Sequence, residues 1–303
     1  MIELTATAES LDQAKALVNA GVDTLYIGNE QFGLRLPSAF SQDEIKEITE
    51  FTHAHNKRVC VAVNALMHNE QIEKVVPYLE FLQNIGVDAI TVGDPGVIHL
   101  LKKHDIKIPY VYDAQTLVTS SKQVNFWAKR GAVGAVLARE ITFEELKTIR
   151  SEATVPVELL VYGATCIHHS KRPLIENYFN FTQETVPTEE LFISEPKKPD
   201  THYSIFEDTN GTHVFATNDI NLLPHLDALV EAGLTQWKLD GIFTRGNDFV
   251  EIARIFIEAK RAIIAGDWTI ALQESLNKQI IAIHPKARTL DEGFLLKDPN
   301  DVK

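Results

Sequence analysis

Strand-like and helix-like segments alternate along almost the whole chain, and this alternation restricts the fold more than any other feature of the sequence. The strand candidates are short runs rich in apolar and β-branched residues: IELTATA from Ile2, TLYIG from Thr24, RVCVAVN from Arg58, AITVGD from Ala89, IPYVYDAQ from Ile108, GAVLARE from Gly134, VELLVYGA from Val157 and QWKLDG from Gln236. The intervening helices allow each strand to run parallel to the one before it. Since no signal of a reversal appears halfway, the pattern favours an α/β fold, a parallel (β/α)8 TIM-like barrel, over an open sheet.

The ends of the helix-like segments carry the capping residues that a helix needs. Ser10 precedes LDQAKALVNA as an N-cap, and Gly21 follows it where a helix often ends in a left-handed residue. Ser41 and Glu44 have the spacing of a capping box at the start of the next helix. These signals predict helices between the first three strands, as a barrel requires.

The composition is that of a folded protein. The chain has 303 residues, of which 45% are hydrophobic and 23% are charged, and this allows one large α/β domain or two smaller ones. Because the eight strand-like segments favour one barrel, we expect a single barrel domain over residues 1–303. No apolar run approaches the roughly 18 to 20 residues that span a bilayer, and the start of the chain lacks the features of a signal peptide. We therefore expect a cytoplasmic protein with no membrane partner.

The charge balance argues against direct binding of nucleic acid. The chain has 42 acidic and 29 basic residues, with a net charge of −13, and this charge repels nucleic acid unless a local patch or a partner supplies attraction. Its two cysteines, Cys60 and Cys166, offer no disulfide framework, and Cys60 is interpreted as a small buried strand residue. Any contact with RNA is thus expected to need the help of a local basic patch or a partner subunit.

One interval departs from the regular rhythm. Between the strand at Val157 and the strand at Gln236 the chain carries an insertion, assigned to residues 165–217. It contains YSIFEDTNGTHVFAT, in which Asn210-Gly211 is a strong turn pair for a hairpin. One interpretation is a surface segment in which extra residues are merely tolerated and have no function. Because barrels place their sites in the loops after the strands, a lid or a docking surface is favoured.

Polar residues follow the predicted strands where a barrel would have its mouth. The candidate ligand-binding residues are Arg35, Asn64, Asp94, Asp113, Gln115, Arg139, Glu140 and Asp240. Arg35 and Arg139 are the anion-binding candidates, because a guanidinium can hold a carboxylate or a phosphate through two parallel hydrogen bonds. Two plainer interpretations stay open: strand ends in any barrel turn polar to cap helices, and Arg139 or Glu140 can belong to a structural ion pair at the rim.

The segment ELLVYGATCIHHSKRP carries a cysteine and two histidines near the end of the seventh predicted strand. Gly163 permits a backbone conformation that is closed to other residues, so Cys166, His168 and His169 are expected to emerge there. Cys166 and His168 are the catalytic candidates, since a thiolate nucleophile needs a nearby base. Two ligands fall short of a zinc or iron site, so no metal site is assigned, and a buried, inert Cys166 is the alternative. His213 is interpreted as a surface residue.

Five ordered blocks of the sequence carry a resemblance to a known family. They are AESLDQAKALVNAGVDTLYIGNEQFGLR, GDPGVIHLL, DAQTLVTSSKQVNFWAKRGAVGAVLARE, VYGATCIHHSKRPL and KLDGIF. Together they resemble the collagenase-like peptidase family U32, and Gly163, Ala164 and Cys166 match the family's recognition pattern after the seventh strand. The resemblance covers nearly the whole chain, and the ordered blocks are specific together although each alone is weak.

The resemblance has a consequence for cofactors. Several family members act in RNA hydroxylation or in oxygen-independent quinone hydroxylation, and these hold an iron–sulfur cluster on four cysteines. Here only Cys166 matches: Pro173 stands at the second position, the insertion offers no third cysteine, and Asn221 stands in the block DINL at the fourth. Because such clusters normally take four thiolates, we expect no cofactor to be bound by this chain alone and a 4Fe-4S cluster to belong to a partner.

The missing cysteines make this chain similar to the smaller subunit of prephenate-dependent tRNA wobble-uridine hydroxylation pairs. The resemblance implies a cysteine-bearing family paralogue as partner, a small carboxylate ligand such as prephenate, and tRNA contact only through the complex. Two alternatives stay open: a collagenase-like peptidase, that is a hydrolase, using Cys166, and a non-catalytic binding subunit.

Overall fold

The computed structural model describes residues 1–114, 117–187, 190–298 and 300. Its strands are β1 Glu3–Thr7, β2 Thr24–Gly28, β3 Arg58–Val63, β4 Ala89–Val92, β5 Tyr110–Tyr112, β6 Ala132–Val136, β7 Val157–Ser170, β8 Leu191–Glu195, β9 Lys198–Asp208, β10 Gly211–Asn221, β11 Gln236–Leu239 and β12 Thr289–Asp291. Its helices are α1 Leu11–Ala20, α2 Gln42–Ala54, α3 Asn69–Ile85, α4 Pro95–Lys103, α5 Ser121–Ala128, α6 Phe143–Glu152, α7 Leu174–Thr182, α8 Leu226–Glu231, α9 Gly246–Ala265 and α10 Ile270–Ile283. The predicted alternation of strand and helix runs from β1 to β7 and resumes at β11.

Eight parallel strands of the described chain close into a barrel, which confirms the predicted fold. The hydrogen-bonded order is β11, β1, β2, β3, β4, β5, β6, β7, and β7 also pairs with β11 to complete the ring. At the point of closure Gln236 lies between Glu3 of β1 and Glu158 of β7. Because all eight strands run in the same direction, their carboxyl ends meet at one rim.

The helix caps act as the sequence predicts. The Ser10 hydroxyl accepts a hydrogen bond from Gln13 N at 3.1 Å, and Gly21 ends α1 with a φ of 115°. Ser41 and Glu44 form the reciprocal capping box at the start of α2. The apolar faces of the helices pack with the strands in one continuous core. Among the described helices, none combines the length and the apolar composition that a bilayer crossing needs.

Strand β7 is longer than the sequence predicts. The predicted strand ends near Ala164, whereas β7 continues to Ser170. Its first half belongs to the barrel, and its second half pairs antiparallel with β10, from Cys166 opposite Phe215 to Ser170 opposite Thr212. Cys166 therefore lies inside a strand rather than in a loop after it. The extra pairing with the insertion supplies the hydrogen bonds that keep this segment extended.

The insertion forms a small antiparallel sheet, and its hairpin confirms the turn predicted from Asn210-Gly211. Strands β9 and β10 pair from Asp208 opposite Gly211, and β8 pairs with the other edge of β9. The tip is tied to the barrel, because Asn210 Nδ2 donates to Glu30 O at 3.0 Å and to Gly33 O at 3.3 Å in the loop after β2. The hairpin thus lies against the rim of the barrel.

A buried arginine near the carboxyl end of the chain fixes the base of the insertion. Arg288 Nη2 lies 2.6 Å from Asp219 Oδ1 of β10, and Arg288 also donates to Ser204 Oγ at 2.6 Å and to Ala216 O at 2.7 Å. The neighbouring strand β12 pairs with β10. The insertion is therefore fixed at both its tip and its base, and the interpretation of residues 165–217 as a lid stays a prediction.

Candidate functional site

A cavity of about 550 Å³ opens at the carboxyl rim of the barrel. The sequence-predicted site residues that border it are Arg35, Asn64, Asp113, Arg139, Glu140, Cys166, His168 and Asp240. They come from six different parts of the chain, and the closure of the barrel brings them together. The strand-end argument thus leads to one shared, polar-lined cavity, and the binding role of each residue stays a prediction.

One predicted residue that the structure describes, Asp94, does not border this cavity. Asp94 is the N-cap of α4: its Oδ1 accepts from Gly96 N at 2.7 Å, and its Oδ2 accepts from Met67 N at 2.9 Å. Because backbone donors occupy both carboxylate oxygens, Asp94 shapes the rim and does not face the cavity. Gln115 lies outside the described residues.

Arg35 is held in the left-handed region of backbone space, with a φ of 52°. The residue before it is anchored, since Leu34 N donates to Asn64 Oδ1 at 2.9 Å. Such a conformation costs a residue with a side chain roughly 1–2 kcal/mol, and strain of this kind is common at functional sites. Within the described residues Arg35 takes part in no ion pair. An unpaired guanidinium beside a cavity can hold an anion.

The guanidinium group of Arg139 already has partners within the protein. Its Nη1 donates to the carbonyl oxygen of Ala164, and its Nη2 lies 3.7 Å from Asp240 Oδ2. The structural ion pair that the sequence offered as an alternative is therefore formed, with Asp240. Burial lowers the pKa of Arg139, the Asp240 carboxylate opposes this shift, and the nearby Arg35 charge adds to it. Two guanidinium groups thus concentrate positive charge at one side of the cavity.

Gly163 allows the chain at β7 to approach the residue that follows β11, Asp240, very closely. Its φ is 125°, and a Cβ at this position would lie 2.8 Å from Asp240 Cβ and overlap the Asp240 carbonyl oxygen. The strands are joined there, because Asp240 N donates to Tyr162 O at 2.9 Å. Only glycine fits this approach, which places Asp240 against Arg139.

A buried polar layer lies beneath the two arginines. Asn64 Nδ2 donates to Asp113 Oδ2 at 2.8 Å and to the Tyr26 hydroxyl at 3.3 Å. Lys238 Nζ lies 3.4 Å from the centre of the Tyr26 ring and 3.9 Å from Glu158 Oε1. Burial raises the pKa of Tyr26 and also that of Glu158. Sequence analysis missed Lys238, although a lysine in the middle of the buried run QWKL was the signal that could have found it.

A β-bulge determines which histidine shares a face with Cys166. The pairing of β7 with β10 shifts by one residue between Cys166 and His168, which leaves Ile167 as the extra residue. Side chains alternate along a strand, so the extra residue places His169 on the face of Cys166. His168 is exposed at the cavity, and its contact with Cys166 is through the backbone: the thiol donates to His168 O at 3.3 Å.

His213 of β10 is fully buried, with 0% exposure, so its interpretation as a surface residue is wrong. Its Nε2 lies 3.0 Å from Asp208 Oδ1, and its ring stacks on His169 with the ring centres 4.6 Å apart. Its Nδ1 has no partner with hydrogen-bond geometry among the described residues. No local sequence pattern marks this group, because only the folding of the hairpin brings His213 and Asp208 next to the strand that carries Cys166.

The charges around Cys166 favour its thiolate. Burial raises the pKa of the Cys166 thiol, but the neighbouring imidazole of His213 and the charges of Arg35 and Arg139 outweigh burial, and the pKa is lowered. Burial lowers the pKa of His213, but Asp208 and Cys166 outweigh it, and that pKa is raised. The two shifts bring the thiol and the imidazole closer to a thiolate–imidazolium pair.

The donor set of this chain does not fit a four-thiolate cluster. Of its two cysteines, Cys60 lies in β3 and Cys166 packs against Phe215 of β10. At the position of another family cysteine, Asn221 donates to Asn277 Oδ1 at 2.8 Å. Across the described ranges, no three His, Cys, Asp or Glu side chains are grouped so that they could hold a metal ion. The ligands for a cluster of the 4Fe-4S type would have to come from elsewhere.

The fold and the site define this chain as a (β/α)8-barrel protein with a cation-bearing mouth, bordered by an antiparallel insertion. The profile of peptidase family U32 matches residues 9–303. The chain therefore belongs to peptidase family U32.

Three relatives illustrate its position in that family. The tRNA hydroxylation protein P2 of Bacillus subtilis is 33% identical over 98% of this chain and 98% of that protein. The tRNA hydroxylation protein P of Escherichia coli is 24% identical over 99% of this chain and 75% of that protein. The tRNA hydroxylation protein P1 of Bacillus subtilis is 25% identical over 79% of this chain and 58% of that protein. Of these three, protein P2 matches this chain over nearly its own full length.

We expect Gly163→Ala to destabilise the protein more than Gly86→Ala. Both glycines have a positive φ, so each alanine carries a backbone cost of roughly 1–2 kcal/mol. Nothing lies within 4 Å of a Cβ added at Gly86, whereas at Gly163 it would displace Asp240. In urea titrations Gly163→Ala should lose at least about 1 kcal/mol more unfolding free energy than Gly86→Ala. Equal losses would show that the close contact of β7 with β11 is not required.

Proposed function

We propose that this chain is the cluster-lacking subunit of a protein pair that hydroxylates tRNA, with the wobble uridine as the modified base. The observation that carries this proposal is the 33% identity with tRNA hydroxylation protein P2, over 98% of both chains. A similarity of this extent includes the barrel and the insertion. The composition adds support, because a chain with a net charge of −13 is poorly suited to grip RNA alone.

The proposed partner is a cysteine-bearing paralogue of the same family. Bacillus subtilis has two proteins, named P1 and P2, that are both similar to this chain. A 4Fe-4S cluster takes four thiolates, whereas this chain contains two cysteines on different strands, Cys60 on β3 and Cys166 on β7. We therefore assign the cluster and the main RNA contacts to the complex with the partner.

The proposed ligand of this chain is a small carboxylate such as prephenate, bound in the barrel mouth. Arg35 has no ion-pair partner in the described ranges, and Arg139 is only loosely paired, at 3.7 Å from Asp240. A guanidinium holds a carboxylate through two parallel hydrogen bonds. The cavity of about 550 Å³ lies within the range that encloses small metabolites.

Deletion of the gene is expected to abolish or strongly reduce hydroxylated wobble uridine in cellular tRNA, measured by mass spectrometry of nucleosides. The wild-type gene should restore the modification, whereas Arg35→Gln should not, since it removes the free cation of the mouth. Arg254→Gln is the matched control, because Arg254 is an exposed arginine of α9 that lies outside both the cavity lining and the insertion. Unchanged modification after deletion would rule out a required role.

Binding of prephenate to the purified chain tests the ligand separately. We expect Arg35→Gln to weaken the affinity about 10- to 150-fold, because a hydrogen-bonded interaction with a charged group contributes roughly 1.5–3 kcal/mol. Isothermal calorimetry measures the change, with Arg254→Gln as the control that keeps the wild-type affinity. Equal affinity of the wild-type chain and Arg35→Gln would contradict the proposed role of Arg35.

Co-purification from native extract tests the partner. A tagged copy of this chain should bring down a cysteine-bearing paralogue, and the complex should contain iron and acid-labile sulfide. The same chain expressed and purified alone, under anaerobic conditions, should contain neither at stoichiometric level. Stoichiometric iron in the isolated chain, or the absence of any paralogue from the complex, would contradict this assignment.

A further inference from the structure

We propose that Cys166 is an activated nucleophile, positioned by His213 and Asp208, that attacks an electrophilic carbon of small carboxylates held by Arg35. This reactivity goes beyond a role in tRNA modification, because it belongs to the isolated chain. Three features carry it: the Asp208–His213 hydrogen bond, the free Nδ1 of the buried imidazole, and the opening of Cys166 to a cavity with two arginines.

The carboxylate of Asp208 determines the protonation of the imidazole. Asp208 Oδ1 accepts from His213 Nε2 at 3.0 Å and from Asn210 N at 2.7 Å in the hairpin turn. Burial raises the pKa of Asp208, but His213 and the Asn210 amide outweigh it, so the pKa is lowered and the group is ionised. An ionised carboxylate can only accept hydrogen bonds, so Nε2 carries a hydrogen and the neutral ring has its lone pair at Nδ1.

That nitrogen is the group able to take the proton of Cys166. The His213 side chain is 0% exposed, and its Nδ1 has no partner with hydrogen-bond geometry among the described residues. A buried polar atom without a hydrogen-bond partner costs roughly 1–3 kcal/mol of folding free energy. Its presence here therefore calls for an explanation. The thiol donates to His168 O at 3.3 Å while it is protonated. Once the proton moves to Nδ1, the thiolate can accept a hydrogen bond from it.

Neighbouring rings restrict the orientation of His213. Its ring stacks on His169, with centres 4.6 Å apart and planes 2° apart, and contacts Phe206 at a tilt of 35°, with centres 5.1 Å apart. His169 is held in turn, since its Nε2 lies 3.0 Å from Asn210 O. Burial lowers the pKa of His169 and favours its neutral form. The charged groups that act on the thiol are therefore His213, with Asp208 behind it, and the two arginines of the mouth.

The arginines of the mouth define the class of substrate. Both Arg35 and Arg139 favour the Cys166 thiolate electrostatically, and all three residues border the same cavity. A carboxylate held by Arg35 would bring its neighbouring carbon towards Sγ. Small acids that carry an electrophilic carbon next to the carboxylate, or conjugated with it, fit this arrangement.

The covalent step balances without an oxidant or a reductant. The thiol proton first passes to His213 Nδ1. The thiolate electron pair then forms a bond from sulfur to the electrophilic carbon. The electron pair displaced from that carbon departs with a leaving group, or it shifts into the conjugated system, which takes the proton back from Nδ1. The product is a thioether of Cys166.

Alkylation of the purified chain with iodoacetate and iodoacetamide, followed by peptide mass spectrometry across a pH series, tests the proposal. With either reagent a sulfur–carbon bond forms and iodide leaves. Relative to glutathione, Cys166 should favour iodoacetate over iodoacetamide about tenfold or more, because the local positive charge concentrates the anion. Its reaction should also extend to lower pH. Cys60 is the internal control: burial raises the pKa of its thiol, so it should stay unmodified while the protein is folded.

Two variants separate the roles of the neighbours. Asp208→Asn should move the pH profile of Cys166 to higher pH and slow alkylation at pH 7 about tenfold or more, because it removes the charge that supports the imidazolium. Its side-chain oxygen can still accept from Asn210 N, which preserves the turn. Arg35→Gln should remove the preference for iodoacetate while alkylation by iodoacetamide continues. Arg254→Gln, an exposed control, should keep both properties.

Three results would overturn the proposal: alkylation of Cys166 no faster than that of glutathione, an unchanged pH profile in Asp208→Asn, or an unchanged preference for iodoacetate in Arg35→Gln. Circular dichroism of each variant separates misfolding from loss of reactivity. The assay contains no tRNA and no partner. Its failure would therefore leave the proposed function standing, and a failure of the deletion experiment would leave this reactivity standing.

Discussion

The close approach of Gly163 to Asp240 is the contact on which the rest of this structure depends. At this point β7 and β11 close the barrel, and β7 then continues beyond the rim to pair with β10. The same contact sets the Asp240 carboxylate 3.7 Å from Arg139. A side chain at residue 163 would push the two strands apart where the barrel, the insertion and the mouth with its two arginines meet. One backbone requirement thus couples closure of the fold to the geometry of the site.

The mouth contains the guanidinium groups of Arg35 and Arg139, although the chain as a whole is acidic, with a net charge of −13. At physiological ionic strength, interactions between exposed charges fade over about 8 Å. A bound small anion is therefore governed by the nearby guanidinium groups of Arg35 and Arg139, whereas a polyanion such as RNA meets the acidic surface over many contacts. The same charge distribution that disfavours unaided RNA binding is compatible with a small carboxylate.

The barrel and the hairpin could be predicted from sequence because both arise from local patterns: alternating strands and helices, capping residues and the Asn210-Gly211 turn. The positions of most residues that line the mouth could also be predicted. They follow strands of a parallel barrel, and the carboxyl ends of these strands meet at one rim whatever the side chains are. This prediction fails for Asp94, because a carboxylate after a strand serves equally well as a helix cap. It also misses His213, which reaches Cys166 only through the register of a long hairpin and an extra residue at the bulge. Neither the register of the hairpin nor the bulge produces a periodic pattern in the sequence.

The proposed reactivity of Cys166 depends on its two different faces. On one side it packs with Phe215, whose ring stacks on Phe206 at 5.5 Å and meets Phe243 edge-on at 5.0 Å. Aromatic carbon offers no ligands to iron. On the other side lie the cavity and its arginines. Because charges act more strongly where apolar groups exclude water, the packing that disfavours a metal site also strengthens the pull of the arginines and His213 on the thiol proton. This setting of Cys166 supports the covalent chemistry proposed for it.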